Sequence, residues 1–367
     1  MSMDTHDTTS GDWHYLDHAA STPVHPDAAA VLDELTRTTF ANPTGAHALA
    51  RRARDRLDEA REQLAAVVGA RPGELVFTSG GTESDNLAVR GVLGAAGGTA
   101  VCTAIEHHAV LDPVLAAGGR AVCVDRRGRV DLDHLAAVLD DDVTLVSVGL
   151  VNNEIGVVQD LAAVREVVAA CAPRALLHTD AAQALTWLDV AEHAAPADLV
   201  TLAAHKCGGP RGIGALVVRD GVRLAPQQVG GGQERERRSG TPDVAGAAAF
   251  AVAAARAAER RPNLVTTVGA WRDRLAEAIT AVVPGAVESA APDDDRSHLV
   301  AGIVNVCLPH VDSEALLFLL EHDHRVLASA ASSCASGAQE PSHVLAALGL
   351  PAALAGGSLR LSMGWTT

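Results

Sequence analysis

Leu75-Val-Phe-Thr-Ser-Gly-Gly-Thr-Glu-Ser-Asp-Asn-Leu87 is the stretch whose reading decides the fold. Its first four residues have the apolar, β-prone pattern of a buried strand, and the glycine pair makes a turn that opens a helix. Gly81 lets the backbone approach an anion, free N–H groups and the helix dipole attract negative charge, and Thr82 adds a hydroxyl donor. A glycine turn alone is weak evidence of such a site. Outward from it, the same alternation continues to Val218. Thr99–Thr103, Ala121–Val124, Thr144–Val148, Ala175–Thr179 and Leu199–Leu202 are short Val/Leu-rich runs that predict strands. The segments between them carry helical periodicity, as in Leu161–Ala172 with Asp160 as its cap. Strands alternating with helices over this length predict an α/β domain with a mostly parallel sheet.

Beyond that region, an Ala-rich pattern predicts a helix from Val244 to Arg260, and Pro262 opens a second part. There Thr267–Val282 and Ser313–Glu321 read as helices, Leu299–Leu308 as a strand, and Ser289–Ser297 as a solvated loop. The expected division is a large domain over 16–257 and a smaller α+β domain made of 1–15 and 258–367. The chain has 367 residues, 48% of them hydrophobic but only 2% aromatic, so the core must be built from Ala, Val and Leu. A net charge of −16 argues against direct nucleic-acid binding, which needs a basic face. No long uncharged apolar run suggests a membrane span. The polar, acidic start Met1–Asp12 lacks the pattern of a signal peptide. The scattered cysteines form no Cys-x-x-Cys pair, which suggests reduced thiols and a cytoplasmic protein. Cys102, Cys123 and Cys307 lie in apolar runs and read as core residues.

The ends of the predicted strands carry the chemistry. Thr201-Leu-Ala-Ala-His-Lys-Cys-Gly-Gly-Pro-Arg-Gly-Ile-Gly214 places Lys206 between an apolar run and a glycine-rich turn. Leu176-Leu-His-Thr-Asp-Ala-Ala-Gln183 ends another strand in Asp180. Pyridoxal phosphate requires such a pair: an amine that holds its aldehyde as a Schiff base, and a carboxylate that keeps the pyridine nitrogen protonated. Lys206 by itself reads first as a solvated loop residue, and only the matching pieces elsewhere reverse that reading. Glu106-His-His-Ala109 sets His107 at the next strand end, where it can stack on a ring and move protons, or form part of a surface histidine pair. Asn153, in Val151-Asn-Asn-Glu-Ile-Gly156, can hydrogen-bond a cofactor oxygen or a substrate carboxylate, or simply form a turn.

Taken together, these motifs resemble the NifS/IscS-like (group I) cysteine desulfurases of the class V aminotransferase family. The resemblance spans nearly the whole chain, from Tyr15-Leu-Asp-His-Ala-Ala-Ser-Thr-Pro23 to Leu359-Arg-Leu-Ser-Met-Gly364. It implies a fold-type I architecture and pyridoxal 5'-phosphate. Lys206 would be the Schiff-base lysine, Asp180 the pyridine-nitrogen partner, Gln183 the neighbour of the phenolic oxygen, and His107 the stacking residue and proton carrier. Thr82 and His205 would hold the phosphate. Asn42, in Asn42-Pro-Thr-Gly-Ala-His47, and Asn153 would sit on the substrate side, and Arg360 would grip the substrate carboxylate. Gly230–Thr241 resembles the segment that lends a threonine, here Thr241, to a neighbouring subunit, which implies a homodimer with shared sites. Cys334, in the small polar stretch Ala331-Ser-Ser-Cys-Ala-Ser-Gly-Ala-Gln-Glu-Pro-Ser-His343, matches the nucleophile.

The resemblance implies that L-cysteine becomes L-alanine, with its sulfur passing as a persulfide on Cys334 to an acceptor protein. Iron–sulfur assembly, tRNA thiolation, DNA phosphorothioation and sulfur-containing cofactors are all open destinations. Three departures stand out. Ala203 replaces the family's phosphate-binding serine, Cys207 adds a thiol beside the lysine, and the chain stops at Thr367 where relatives continue. That last departure is expected to expose apolar surface and loosen the Cys334 segment. An aminotransferase or selenocysteine lyase would use the same lysine and aspartate, and a partner-dependent sulfur-scaffold subunit is a further alternative. No metal site is expected, because neither His322 with His324 nor His107 with His108 has a third ligand at hand.

Overall fold

A computed structural model describes residues 13–330 and 342–367. In chain order its strands are β1 (His14–Tyr15), β2 (Leu75–Thr78), β3 (Thr99–Thr103), β4 (Arg120–Val122), β5 (Val143–Ser147), β6 (Leu176–Asp180), β7 (Leu199–Ala203), β8 (Gly214–Val218), β9 (Val287–Glu288), β10 (Ile303–Cys307), β11 (Val326–Leu327) and β12 (Ser358–Ser362). The central sheet has seven strands in the order β2-β8-β7-β6-β5-β3-β4. Only β8 runs against the others, so the α/β reading with a mostly parallel sheet is correct. Such a sheet needs cover on both faces, and its strands are accordingly near-continuous Val, Leu and Ala. The core is aliphatic as the composition requires, with Phe250 its largest fully buried side chain.

The remaining strands build a smaller layer. β12-β10-β9 form an antiparallel sheet, and β1 pairs in parallel with β11. The Ser313–His324 helix, capped by Asp312, belongs to this part.

Three expectations need correction. The predicted break at Pro262 does not occur: a single helix runs from Val244 to Val282, straight through the proline and across the expected domain boundary at 257/258. A proline removes one backbone donor and crowds the preceding turn, but buried residues from Val244 to Ala276 anchor the helix on both sides. Cys123 is exposed, not core: on the edge strand β4 and its extension, Val122 and Val124 turn inward while Ala121 and Cys123 face out. The strand read from Leu299 starts only at Ile303, because Leu299–Gly302 turns against Gly156 and Val157.

One glycine lets the sheet close on the turn after β2. A Cβ on Gly214, in β8, would lie 2.7 Å from Gly80 Cα, so β8 can press against the glycine turn only because no side chain intervenes.

Candidate active site

Chain segments following β2, β3, β5, β6 and β7 converge on one cavity of about 540 Å³ at the carboxyl ends of these strands. This is where open α/β sheets bind ligands. The cavity brings together Gly81, Thr82, His107, Asn153, Asp180, Gln183, His205, Lys206 and Arg360 from distant parts of the sequence.

Lys206 ends a single tight turn, Ala204–Lys206, directly after β7. Its Nζ donates to Ala19 O at 2.5 Å and Ala20 O at 2.9 Å. Burial, with Arg360 nearby, draws the amine down to about 8, so a neutral nucleophile is accessible near physiological pH. It is also the only lysine in the chain. Asp180 closes β6, and its Oδ1 accepts from Ala182 N at 2.8 Å. Burial pushes its carboxyl up, while His107 and Lys206 pull it back toward the ionised form. Behind it, His178 is locked between Ser147 Oγ at 2.7 Å and Thr201 Oγ1 at 3.1 Å, and burial drives it down to about 3, so it is neutral.

His107 caps the His108–Ala116 helix. Its Nδ1 accepts from Ala109 N at 3.1 Å, which assigns the proton of the neutral ring to Nε2. Burial favours that neutral form. Of the two readings of Asn153, turn formation falls instead to its neighbour. Asn152 is the turn former: its Oδ1 accepts from the N–H groups of Glu154 and Ile155. Asn153 is left on the cavity wall. Gln183 Nε2 donates to Ala19 O at 2.7 Å. His205 lies 3.3 Å from Ser21 Oγ, and burial with the nearby Lys206 charge takes it down to about 4, which leaves it neutral.

Gly80 caps the Gly81–Ala96 helix without any side-chain hydrogen bond, so the first N–H groups of that helix are not taken up by a capping side chain. Ala203 forms the adjoining floor; a Cβ on Gly81 would stand 3.7 Å from its Cβ. Cys207 is buried, its thiol pushed up to about 12, and it belongs to the packing.

Two of the expected residues are elsewhere. Asn42 is exposed, and its Oδ1 is occupied by Thr44 N and Thr44 Oγ1 at 3.0 and 2.9 Å. Thr241 is exposed, and neither residue lines the cavity of its own chain. Cys334 lies outside the described residues, whereas Ser329, Ala330 and His343, on either side of that stretch in sequence, do line the cavity. Sequence reasoning missed Asp17, which holds Arg360 Nη2 at 2.7 Å. It also missed Glu106, whose Oε1 accepts from Thr103 Oγ1 at 2.6 Å and Gly149 N at 2.9 Å. Burial pushes that carboxyl up to about 7. Glu106 stands beside the predicted His107 and was visible; the carbonyls of Ala19 and Ala20 carry no side-chain signal. Among the described residues, no three His, Cys, Asp or Glu side chains form a metal-ligand group, and no helix is long and apolar enough to cross a membrane.

The donor set fits pyridoxal phosphate. A depressed lysine would hold the aldehyde, Asp180 would face the ring nitrogen, and the uncapped helix start with Thr82 and His205 would take the phosphate.

Comparison with known proteins agrees. The aminotransferase class-V family model matches residues 14–367. The chain is 41% identical over 367 residues to an IscS-like cysteine desulfurase of Mycobacterium tuberculosis, covering 96% of this chain and 92% of that protein. Among solved structures, a NifS-like protein superposes with a TM-score of 0.88 at 30% identity, covering 96% and 94% of the two chains. DndA from Streptomyces lividans superposes with a TM-score of 0.78 at 34% identity, covering 95% and 99%. The fold, the converging lysine and aspartate, and these matches together make the chain a member of the class-V aminotransferase family, whose chemistry runs on pyridoxal phosphate.

Proposed function

We propose that this protein is a cysteine desulfurase: it converts L-cysteine to L-alanine and passes the sulfur, as a persulfide on Cys334, to an acceptor protein. The observation that carries the reading is the cavity in which the chain's only lysine, the half-buried Asp180 and the buried Arg360 meet. It is supported by relatives named as cysteine desulfurases over nearly the full length.

Bound pyridoxal phosphate supplies an electron sink for the carbanion chemistry. The chain supplies everything else. Arg360 receives the substrate carboxylate, with Asn153 alongside. Lys206 Nζ, drawn toward neutrality by burial, takes the proton from the substrate α-carbon. His107, protonated at Nε2, delivers a proton on the cavity side. The Cys334 thiolate forms an S–S bond to the substrate sulfur as the Cβ–S bond breaks. Sulfur is oxidised to the persulfide level, and the carbon is reduced to a methyl group.

The same reading includes a homodimer in which Thr241 serves the neighbouring subunit's phosphate site. Its exposure, and its absence from the lining of its own chain's cavity, support this. It also includes a cytoplasmic location, a large domain over 16–257 and a smaller one from the remaining segments. Iron–sulfur assembly is one destination for the sulfur.

Anaerobic turnover with L-cysteine and a thiol reductant tests the proposal. Equal sulfide and alanine from the wild type, both lost in Cys334→Ser with cofactor absorbance retained, is the expected result. Alanine-independent transfer of the amino group to a keto acid would establish an aminotransferase instead.

A further inference from the structure

The segment Asp17–Thr22 touches four polar side chains of the cavity: Lys206, Gln183, His205 and Arg360. Ala19 O accepts from Lys206 Nζ and from Gln183 Nε2, Ser21 Oγ meets His205 at 3.3 Å, and Asp17 Oδ1 accepts from Arg360 Nη2 at 2.7 Å. The last contact has a consequence for ligand binding. Arg360 is buried on β12, with Nη1 donating to Asn153 O at 3.1 Å and Nε buried without a hydrogen-bond partner among the described residues. Asp17 already provides this guanidinium with a carboxylate inside the chain.

Its position is fixed. Ser362 N donates to Leu16 O at 2.7 Å and His18 N to Ser362 O at 3.1 Å, so Asp17 is held between two backbone bonds opposite β12. Tyr15 Oη donates to Asp17 O and Ser21 O at 3.0 and 2.8 Å and clasps the turn. The main chain that carries Asp17 is thus held beside Arg360, and only the carboxylate itself can turn away. An incoming carboxylate must therefore share or displace this partner, and it meets a like charge when it does.

We propose that Asp17 is a positioning residue and built-in competitor, which orients Arg360 and sets how weakly the cavity holds a substrate carboxylate. The proposal rests on the reading of Arg360 as the substrate's carboxylate partner. A site tuned this way releases its amino-acid product readily, because product and substrate carry the same carboxylate.

Asp17→Asn tests it, since the amide oxygen can still accept from Arg360 while the charge is gone. Calorimetric titration of the cofactor-loaded variant with L-alanine should give a dissociation constant roughly tenfold lower than wild type. L-alaninamide, which lacks the carboxylate, should bind both proteins equally, and Asp17→Glu should resemble wild type. Unchanged or weaker L-alanine binding in Asp17→Asn overturns the proposal. Should that variant not fold, Asp17→Ser takes its place, with tighter L-alanine binding again expected. Arg360→Met separates the two claims. If it binds L-alanine as well as wild type, the reading of Arg360 fails and the proposal with it. If it binds weakly while Asp17→Asn is unchanged, only the role of Asp17 is overturned.

Discussion

At the scale of single residues, the chemistry rests on groups whose charge the fold has set. Lys206 Nζ is drawn down to about 8 by burial, so between about pH 8 and its unfolded value near 10.4 the unfolded chain binds the extra proton. The cofactor-free protein should therefore gain stability as pH rises through that window, and Lys206→Met should flatten the gain in a chemical-denaturation series. Because Lys206 is the only lysine, borohydride reduction of the loaded protein should fix cofactor mass on that residue alone. Ala203 makes the opposite kind of prediction. A serine there would restore a hydroxyl beside Gly81 and the helix start, and should tighten cofactor binding about tenfold by equilibrium dialysis. Lys206, Asp180 and His107 were legible in the sequence because each closes an apolar run, so its place at a strand end could be counted. Asp17 was not, because its significance lies in a partner 343 positions away. Cys123 misled because an apolar run on an edge strand has one wet face.

Elements place these residues, and their energetics show where local rules yield to packing. Pro262 sits inside the Val244–Val282 helix at a cost of order 3 kcal/mol relative to a good helix former. Pro262→Ala should stabilise the protein by about 1–3 kcal/mol in thermal or chemical unfolding, with no change in cofactor absorbance. Sequence periodicity saw a helix on each side of the proline but not its continuity, because continuity is decided by the core that both halves touch. The segment after β3 carries a different dependence. Glu106 is pushed up to about 7 from an unfolded value near 4.3. Its contribution is fully present below about pH 4.3 and is lost as pH rises to 7, by at most about 4 kcal/mol. Glu106→Gln should remove that slope from the stability–pH curve. The alternation from Leu75 to Val218 was the most legible part of the fold. Strand order, and the reversal of β8, came only from the structure.

For the whole molecule, the exposed position of Thr241 bears on assembly. If Thr241 serves a neighbouring chain, mixing inactive Lys206→Ala with weakly loaded Thr241→Val subunits should restore one competent site per mixed dimer. Activity should then rise above the sum of the parents. The central claim, however, is that sulfur leaves cysteine through Cys334, a residue read from sequence and lying outside the described part of the structure. The most direct test is a single anaerobic turnover with L-cysteine and no reductant, followed by mass spectrometry of the peptides. One extra sulfur atom on the Cys334 peptide for each alanine released is the predicted result. Alanine released with no added sulfur on Cys334, or sulfur found instead on the exposed Cys123, would contradict the claim.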